Sequence, residues 1–127
     1  MARILVIDDD GQVRGAIRRI LERAGHTVLD AADGEAGIRV YRERPADLII
    51  TDIFMPERDG IETIQQLRRE FPGVKIIAIS GGDRTRSMDL GKDAELLGAS
   101  RSLRKPFELT ELLKAVSELL GEPPPGV

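Results

Sequence analysis

The chain is predicted to fold as an α/β domain, with a mostly parallel five-stranded sheet covered by helices on both faces. Two observations carry the prediction. Short apolar runs alternate regularly with segments whose apolar residues recur at helical spacing, giving five βα units. The length, 127 residues, suits one domain with a full-sized core, and no internal repeat divides it. Right-handed crossovers between parallel strands narrow the topology further.

The elements follow in order. Arg3 to Ile7 holds the run Ile4-Leu5-Val6-Ile7, ends at acids and reads as a buried strand. Val13, Ile17, Ile20, Leu21 and Ala24 recur at helical spacing until Gly25 stops the helix. Thr27 to Leu29 is a weaker strand. Gly34 to Arg44 is a second helix with Ala36, Gly37, Val40 and Tyr41 on one face, and Pro45 follows its end. Asp47 to Thr51 is a buried strand that ends at Asp52, and Ile53 to Gly60, with Pro56 and Asp59-Gly60, is a loop. Ile61, Ile64, Leu67 and Phe71 mark a third helix, broken by Pro72-Gly73. Lys75 to Ile79 is the fourth strand, ending at Ser80-Gly81-Gly82. Asp83 to Gly98 is read as a fourth helix, interrupted by Gly91 and poor in apolar residues. Ser100 to Arg104 is a weak fifth strand. The last helix is amphipathic, with Leu109, Leu112, Leu113, Val116, Leu119 and Leu120. Residues 1–121 are thus expected to form the domain, and the Pro-rich residues 122–127 a non-helical tail or linker stub.

Composition excludes several classes. Apolar residues make up 41% and charged residues 32%, an ordinary soluble balance, and the net charge of -3 argues against direct nucleic-acid binding. The absence of cysteine excludes disulfides, thiolate chemistry and Cys-rich zinc sites. The apolar runs are far shorter than a membrane span, and the acid cluster close behind Met1 to Ile7 is unlike a signal peptide. No membrane insertion and a cytoplasmic location are therefore expected.

In such sheets ligands bind beyond the carboxyl ends of the strands. The first strand delivers Asp8, Asp9 and Asp10 there, the third Asp52, the fourth Ser80 and the fifth Lys105. Taken singly, each reads as a turn residue, a helix cap or a solvated side chain, and one of the three N-terminal acids is expected to cap the first helix. Their convergence on one rim points to a site. Two unit charges about 4 Å apart repel by about 4 kcal/mol at an effective dielectric near 20, so clustered carboxylates call for a counter-charge beyond Lys105. All-oxygen ligands suit a hard divalent cation, and with one histidine, His26, away from the rim, a soft-metal site is not indicated. A nucleophile, a cation and donors for the remaining charge are what phosphoryl transfer requires.

The runs Ile4-Leu5-Val6-Ile7-Asp8-Asp9-Asp10, Thr51-Asp52-Ile53-Phe54-Met55-Pro56-Glu57-Arg58-Asp59-Gly60, Ser80-Gly81 and Lys105-Pro106-Phe107 together resemble response-regulator receiver domains, from Arg3 to about Leu120. The resemblance implies a flavodoxin-like, doubly wound fold of strand order 2-1-3-4-5 with five helices. It implies that Asp52 is the phosphoacceptor and that Ser80 bonds the phosphoryl group, with Lys105 as its ion-pair partner. Asp9 would be a direct ligand of Mg2+ (or Mn2+) and Asp8 its partner through water, joined by Asp52 and the backbone carbonyl of Phe54. The Lys105-Pro106 bond would be cis. The implied partners are a sensor histidine kinase or histidine phosphotransfer protein as donor and an unidentified output protein. A homodimer through the fourth and fifth helices is left open.

The sequence departs from the family at the position of its switch aromatic, which here is Ser102. The stretch from Ser80 to Lys105 is also longer than the family pattern by about three residues (against the usual loop range). Phe54 and Gly82 stand where many receivers carry polar side chains that orient an attacking water. Slow self-dephosphorylation is therefore expected. A Phe54→Asn, Gly82→Glu variant should lose its phosphoryl group faster than the wild type, and equal decay rates would reject that expectation. Two other readings compete. Asp8-x-Asp10-Gly11 after an apolar strand resembles the first motif of haloacid-dehalogenase-type phosphatases, with Asp8 as nucleophile and Asp10 as acid/base. That family also needs an acidic motif after the lysine on another strand, where only Glu108 and Glu111 follow. A phosphorylation-independent interaction module is the other reading, favoured by Ser102 and opposed by the complete set of acids, Ser80 and Lys105. A flavin site is a poorer reading still, since acids after the first strand would repel its phosphate.

Overall fold

Ile4, Leu5 and Val6 are wholly shielded from solvent and Ile7 nearly so, because the strand they form lies second from one edge of the sheet with helices above and below it. The structure is a computed structural model and describes residues 2–53, 60–80, 98–104 and 107–121. Its strands are β1 (Arg3–Ile7), β2 (Thr27–Ala31), β3 (Leu48–Asp52), β4 (Ile76–Ser80) and β5 (Arg101–Arg104). All neighbours pair in parallel, in the order β2-β1-β3-β4-β5. The described helices are α1 (Gly11–Arg23), α2 (Gly34–Glu43), α3 (Gly60–Glu70) and α4 (Leu109–Leu120). The parallel sheet and its order are those expected.

A parallel sheet buried on both faces needs strands that are apolar on both sides. β3 and β4 meet that demand, with every residue of each buried. Leu5, Ile7, Ile49, Ile76 and Ala78 face Ile38 and Tyr41 of α2 and Ile64 and Leu67 of α3. On the opposite face Ile4, Val6, Leu48, Ile50, Ile77 and Ile79 pack with Ile17 and Leu21 of α1 and Leu112, Ala115 and Val116 of α4.

Local chemistry sets the helix ends. The Asp10 carboxylate accepts from the Gln12 and Val13 amides at 2.9 and 3.3 Å, so this acid is the one that caps α1. Gly25, at φ 96°, turns the chain toward β2. Asp33 caps α2 through the Ala36 amide at 2.8 Å, and Glu111 accepts from the Glu108 amide at 3.2 Å as α4 begins. Gly15 sits inside α1, where a Cβ would meet nothing nearer than Arg19 Nη1 at 3.6 Å. Gly15→Ala should therefore raise unfolding stability by about 0.5–1 kcal/mol through helix propensity alone, measured by urea titration. No gain would mean that the added methyl is not free to sit there.

α2 approaches its neighbours too closely for side chains at two positions. A Cβ at Gly34 would lie 2.0 Å from Thr63 Oγ1, and one at Gly37 2.4 Å from Ile7 Cδ1. α2 and α3 are also joined on the outside, where Arg42 Nε donates to Glu70 Oε1 at 3.0 Å and Arg42 Nη2 to Oε2 at 2.8 Å. The Gln66 hydrogen bond and then this fork hold the Glu70 carboxyl below its ordinary range. At the far end of α3, Arg68 donates through Nε to the Gly98 carbonyl at 3.1 Å and through Nη1 to the Pro72 carbonyl at 2.9 Å.

Three expectations need correction, while of the five expected helices four lie among the described residues. The fourth expected one, Asp83–Gly98, lies outside the described residues save for Gly98, which is in a turn at φ 134°. β2 runs two residues beyond Leu29, since Asp30 and Ala31 continue the ladder opposite Val6 and Ile7. The buried face of α2 is Gly34, Gly37, Ile38 and Tyr41, with Ala36 and Val40 at its margin. Leu109 is 51% exposed, and the core face of α4 is centred on Leu112, Ala115 and Val116. No helix among the described residues is long and apolar enough to cross a membrane. The tail, residues 122–127, lies outside the described residues.

Candidate functional site

The C-terminal edge of the sheet is where β1 and β3 release their acids. Asp8 follows β1 directly, and its amide donates to the Ala31 carbonyl at the end of β2 at 3.1 Å. Asp52 is the last residue of β3 and is in register with Ile79, so Ser80 stands one residue further toward the same edge on the adjacent strand. The Ile53 amide still donates to the Ile79 carbonyl at 2.9 Å, which keeps the two strand ends together beyond Asp52.

This arrangement gathers one carboxylate oxygen each from Asp8, Asp9 and Asp52, all within 4.8 Å of one another. Asp8 is 1% and Asp52 6% exposed, whereas Asp9 faces solvent. Ser80, at 4% exposure, is buried beside them at the end of β4. Two of the three N-terminal acids thus enter the cluster. The third, Asp10, is turned to the amides of α1.

Hydrogen bonds fix the turn that carries the acids. The Asp10 amide donates to Asp8 Oδ1 at 2.9 Å. Arg14, one turn into α1, reaches back and donates through Nη1 to the Asp8 backbone carbonyl at 2.7 Å. The Arg14 amide in turn donates to the Asp10 carbonyl at 2.9 Å. Sequence reasoning gave Arg14 no role. The only signal was its position four residues after the helix cap, from which a long side chain can fold back over the preceding turn.

At separations of about 4–5 Å, each pair of carboxylates repels by about 3–4 kcal/mol at an effective dielectric near 20. The cluster therefore favours a cation. Its donors are all oxygen, two of them buried and one open to solvent, and they suit Mg2+, which keeps several waters and takes few carboxylates. His26 belongs to the opposite edge, where its Nδ1 accepts from the Ala2 amide at 3.3 Å. Lys105, Pro106, Phe54, Gly81 and Gly82 lie outside the described residues. Ser102 is on β5, paired with Ala78 and half-buried.

Comparison with known proteins gives a consistent result. The family described as the response regulator receiver domain matches residues 4–117. Protein CcdB of Bacillus subtilis is 37% identical over 122 residues, covering 95% of this chain and 99% of that protein. Response regulator MprA of Mycobacterium leprae is 40% identical over 124 residues, 97% of this chain, which spans 53% of that relative's length. Among solved structures, response regulator TrrA of Thermotoga maritima in complex with Mg2+-BeF superposes with a TM-score of 0.82 at 32% identity, covering 94% of this chain and all of that one.

Proposed function

The chain belongs to the response-regulator receiver family, and from that premise we propose that Asp52 accepts a phosphoryl group and thereby switches a protein-interaction surface. The observation that carries the reading is the approach of the Asp8, Asp9 and Asp52 carboxylates to within 4.8 Å at one edge of the sheet. The donor is a phosphohistidine on a sensor kinase or phosphotransfer protein. An Asp52 carboxylate oxygen attacks phosphorus, the P–N bond of the donor breaks, and its electron pair leaves on the imidazole nitrogen. Asp9, Asp52 and the Phe54 carbonyl, with Asp8 as a partner through water, would hold Mg2+ or Mn2+. When bound, that ion offsets the charge on the phosphoryl oxygens.

The chain's own residues do the rest. Burial of Asp52 at the end of β3 fixes the direction of its carboxylate, and Asp8 is fixed by the Asp10 amide. Ser80 donates its hydroxyl to a phosphoryl oxygen, and Lys105 pairs with the new charge. The modification adds about -1.5 to -2 charges. It draws Ser80 and Lys105 inward and shifts the population of a surface formed by the segment before β5, by β5 and by α4. The states need differ by only a few kcal/mol. Ser102 requires this to happen without an aromatic switch at that position. Residues 1–121 form the receiver and 122–127 a tail or linker stub, and the cytoplasm is the compartment where such a donor is met.

The test is treatment of the protein with a small-molecule phosphodonor, with and without Mg2+, read by intact mass and peptide mapping. The expected result is one Mg2+-dependent phosphoryl group on the peptide containing Asp52. Modification at another residue, or none with Mg2+ present, would overturn the reading.

A further inference from the structure

Three contacts among the described residues hold the acid turn after β1, and the third is unlike the other two. The Asp8 amide donates to the Ala31 carbonyl of β2 and its carboxylate accepts from the Asp10 amide, so in both the partner is an uncharged main-chain group. Its carbonyl is taken by a charged side chain, Arg14 Nη1, at 2.7 Å. A peptide group is planar, so fixing the Asp8 carbonyl also fixes the direction of the Asp9 amide and the placement of the Asp9 Cα. Asp9 is the solvent-exposed member of the three-acid cluster, and nothing in its own burial holds it. The Arg14 main chain is itself tied to this turn, its amide donating to the Asp10 carbonyl at 2.9 Å. The side chain and backbone of one residue therefore grip both ends of the Asp8–Asp10 segment.

The geometry points to Arg14 as a positioning residue for the cation site, setting the Asp9 carboxylate against Asp8 and Asp52 before the ion arrives. The inference rests on the proposed cation site. It is a claim about orientation, and orientation competes with charge. A guanidinium near three carboxylates makes the site less negative, so by charge alone its removal would tighten binding of a divalent cation. By orientation its removal loosens Asp9 and weakens binding. The hydrogen bond is charge-assisted and partly buried, which makes it one of the stronger kinds, and the loss of partners that orient metal ligands typically weakens binding 10- to 100-fold. Orientation is the larger effect.

The experiment measures Mg2+ affinity by titration calorimetry on the wild-type protein, Arg14→Met and Arg14→Gln, with metal-free thermal stability recorded for each. Arg14→Met should bind Mg2+ about ten-fold more weakly than wild type. Arg14→Gln keeps a neutral donor and should recover part of that loss. Metal-free stability of both variants should change far less than affinity does. Equal or tighter binding by Arg14→Met overturns the inference, because charge then dominates. Affinity that falls only in step with metal-free stability also overturns it, because the role is then general to the fold. If Arg14→Met does not fold, equal affinity in Arg14→Gln and Arg14→Lys decides against a directional hydrogen bond, and a graded loss decides for it. Absence of Mg2+ binding by the wild type would instead reject the cation site itself.

Discussion

Asp52→Asn should take up no phosphoryl group from a small-molecule donor under conditions in which the wild type is modified. Amide for carboxylate removes the nucleophilic oxygen and leaves shape and burial almost unchanged, so the variant keeps its fold. The change also removes one of the three charges that gather within 4.8 Å at the sheet edge. Its effect on Mg2+ is therefore separable from its effect on chemistry. At a free Mg2+ concentration 100 times the dissociation constant, binding stabilises the wild type by about 2.7 kcal/mol. A ten-fold loss of affinity would leave about half of that in Asp52→Asn. Thermal melts with and without Mg2+, run beside intact-mass measurements, report both. Full phosphorylation of Asp52→Asn would move the acceptor elsewhere. Undiminished Mg2+ stabilisation would place Asp52 outside the cation site. Turnover of a phosphate ester that survives this substitution would favour the phosphatase reading instead.

Ile50→Ala should destabilise the protein by about 2–5 kcal/mol, the range for deleting most of a buried branched side chain. Ile50 is completely buried in β3, in the core layer against α1 and α4, and it precedes Asp52 by two residues. Side chains two apart in a strand share a face, so the cavity would open directly below the acceptor. Two-state urea unfolding measures the loss. A change below about 1 kcal/mol would mean that the two layers close over the gap, contrary to the close packing expected of such interiors.

What the sequence revealed of this fold follows from the kind of signal each element carries. β1, β3 and β4 are apolar on both faces, so their Ile- and Val-rich runs were legible without any structure. β2 was read short because Asp30 interrupts its apolar pattern. At the sheet margin that side chain is satisfied by Arg18 Nη1 at 2.7 Å, which no local pattern shows. The inward face of α2 was misplaced for a similar reason. Gly37, against Ile7, was placed on the inward face, but Gly34 was not: Thr63 leaves it no room for a side chain, and close approach has no hydropathy signature. Leu109 was assigned to the core on periodicity, but it opens α4, where only the helix body reaches the sheet.

The site was legible for a different reason. Acids that end separate apolar strands share one edge if the sheet is parallel, and the strand order implied by the resemblance sets β1 beside β3, so the gathering of Asp8, Asp9 and Asp52 could be anticipated. Arg14 could not be, because its contact is with a backbone carbonyl and its place in α1 looks like any solvated arginine. A side chain that grips main chain leaves no trace in residue type, and its distance from the helix cap is the one signal it gives.

β5 forms one border of the sheet, has only four residues, and carries an arginine at each end. Arg101 is also pinned outward by Glu118, at 2.7 Å. Unsatisfied strand borders invite copies of a protein to stack edge to edge, and brevity and like charge are two means of discouraging it. Crowded solutions of this protein should therefore stay free of intermolecular β-assembly along that border, so that self-association is left to other surfaces.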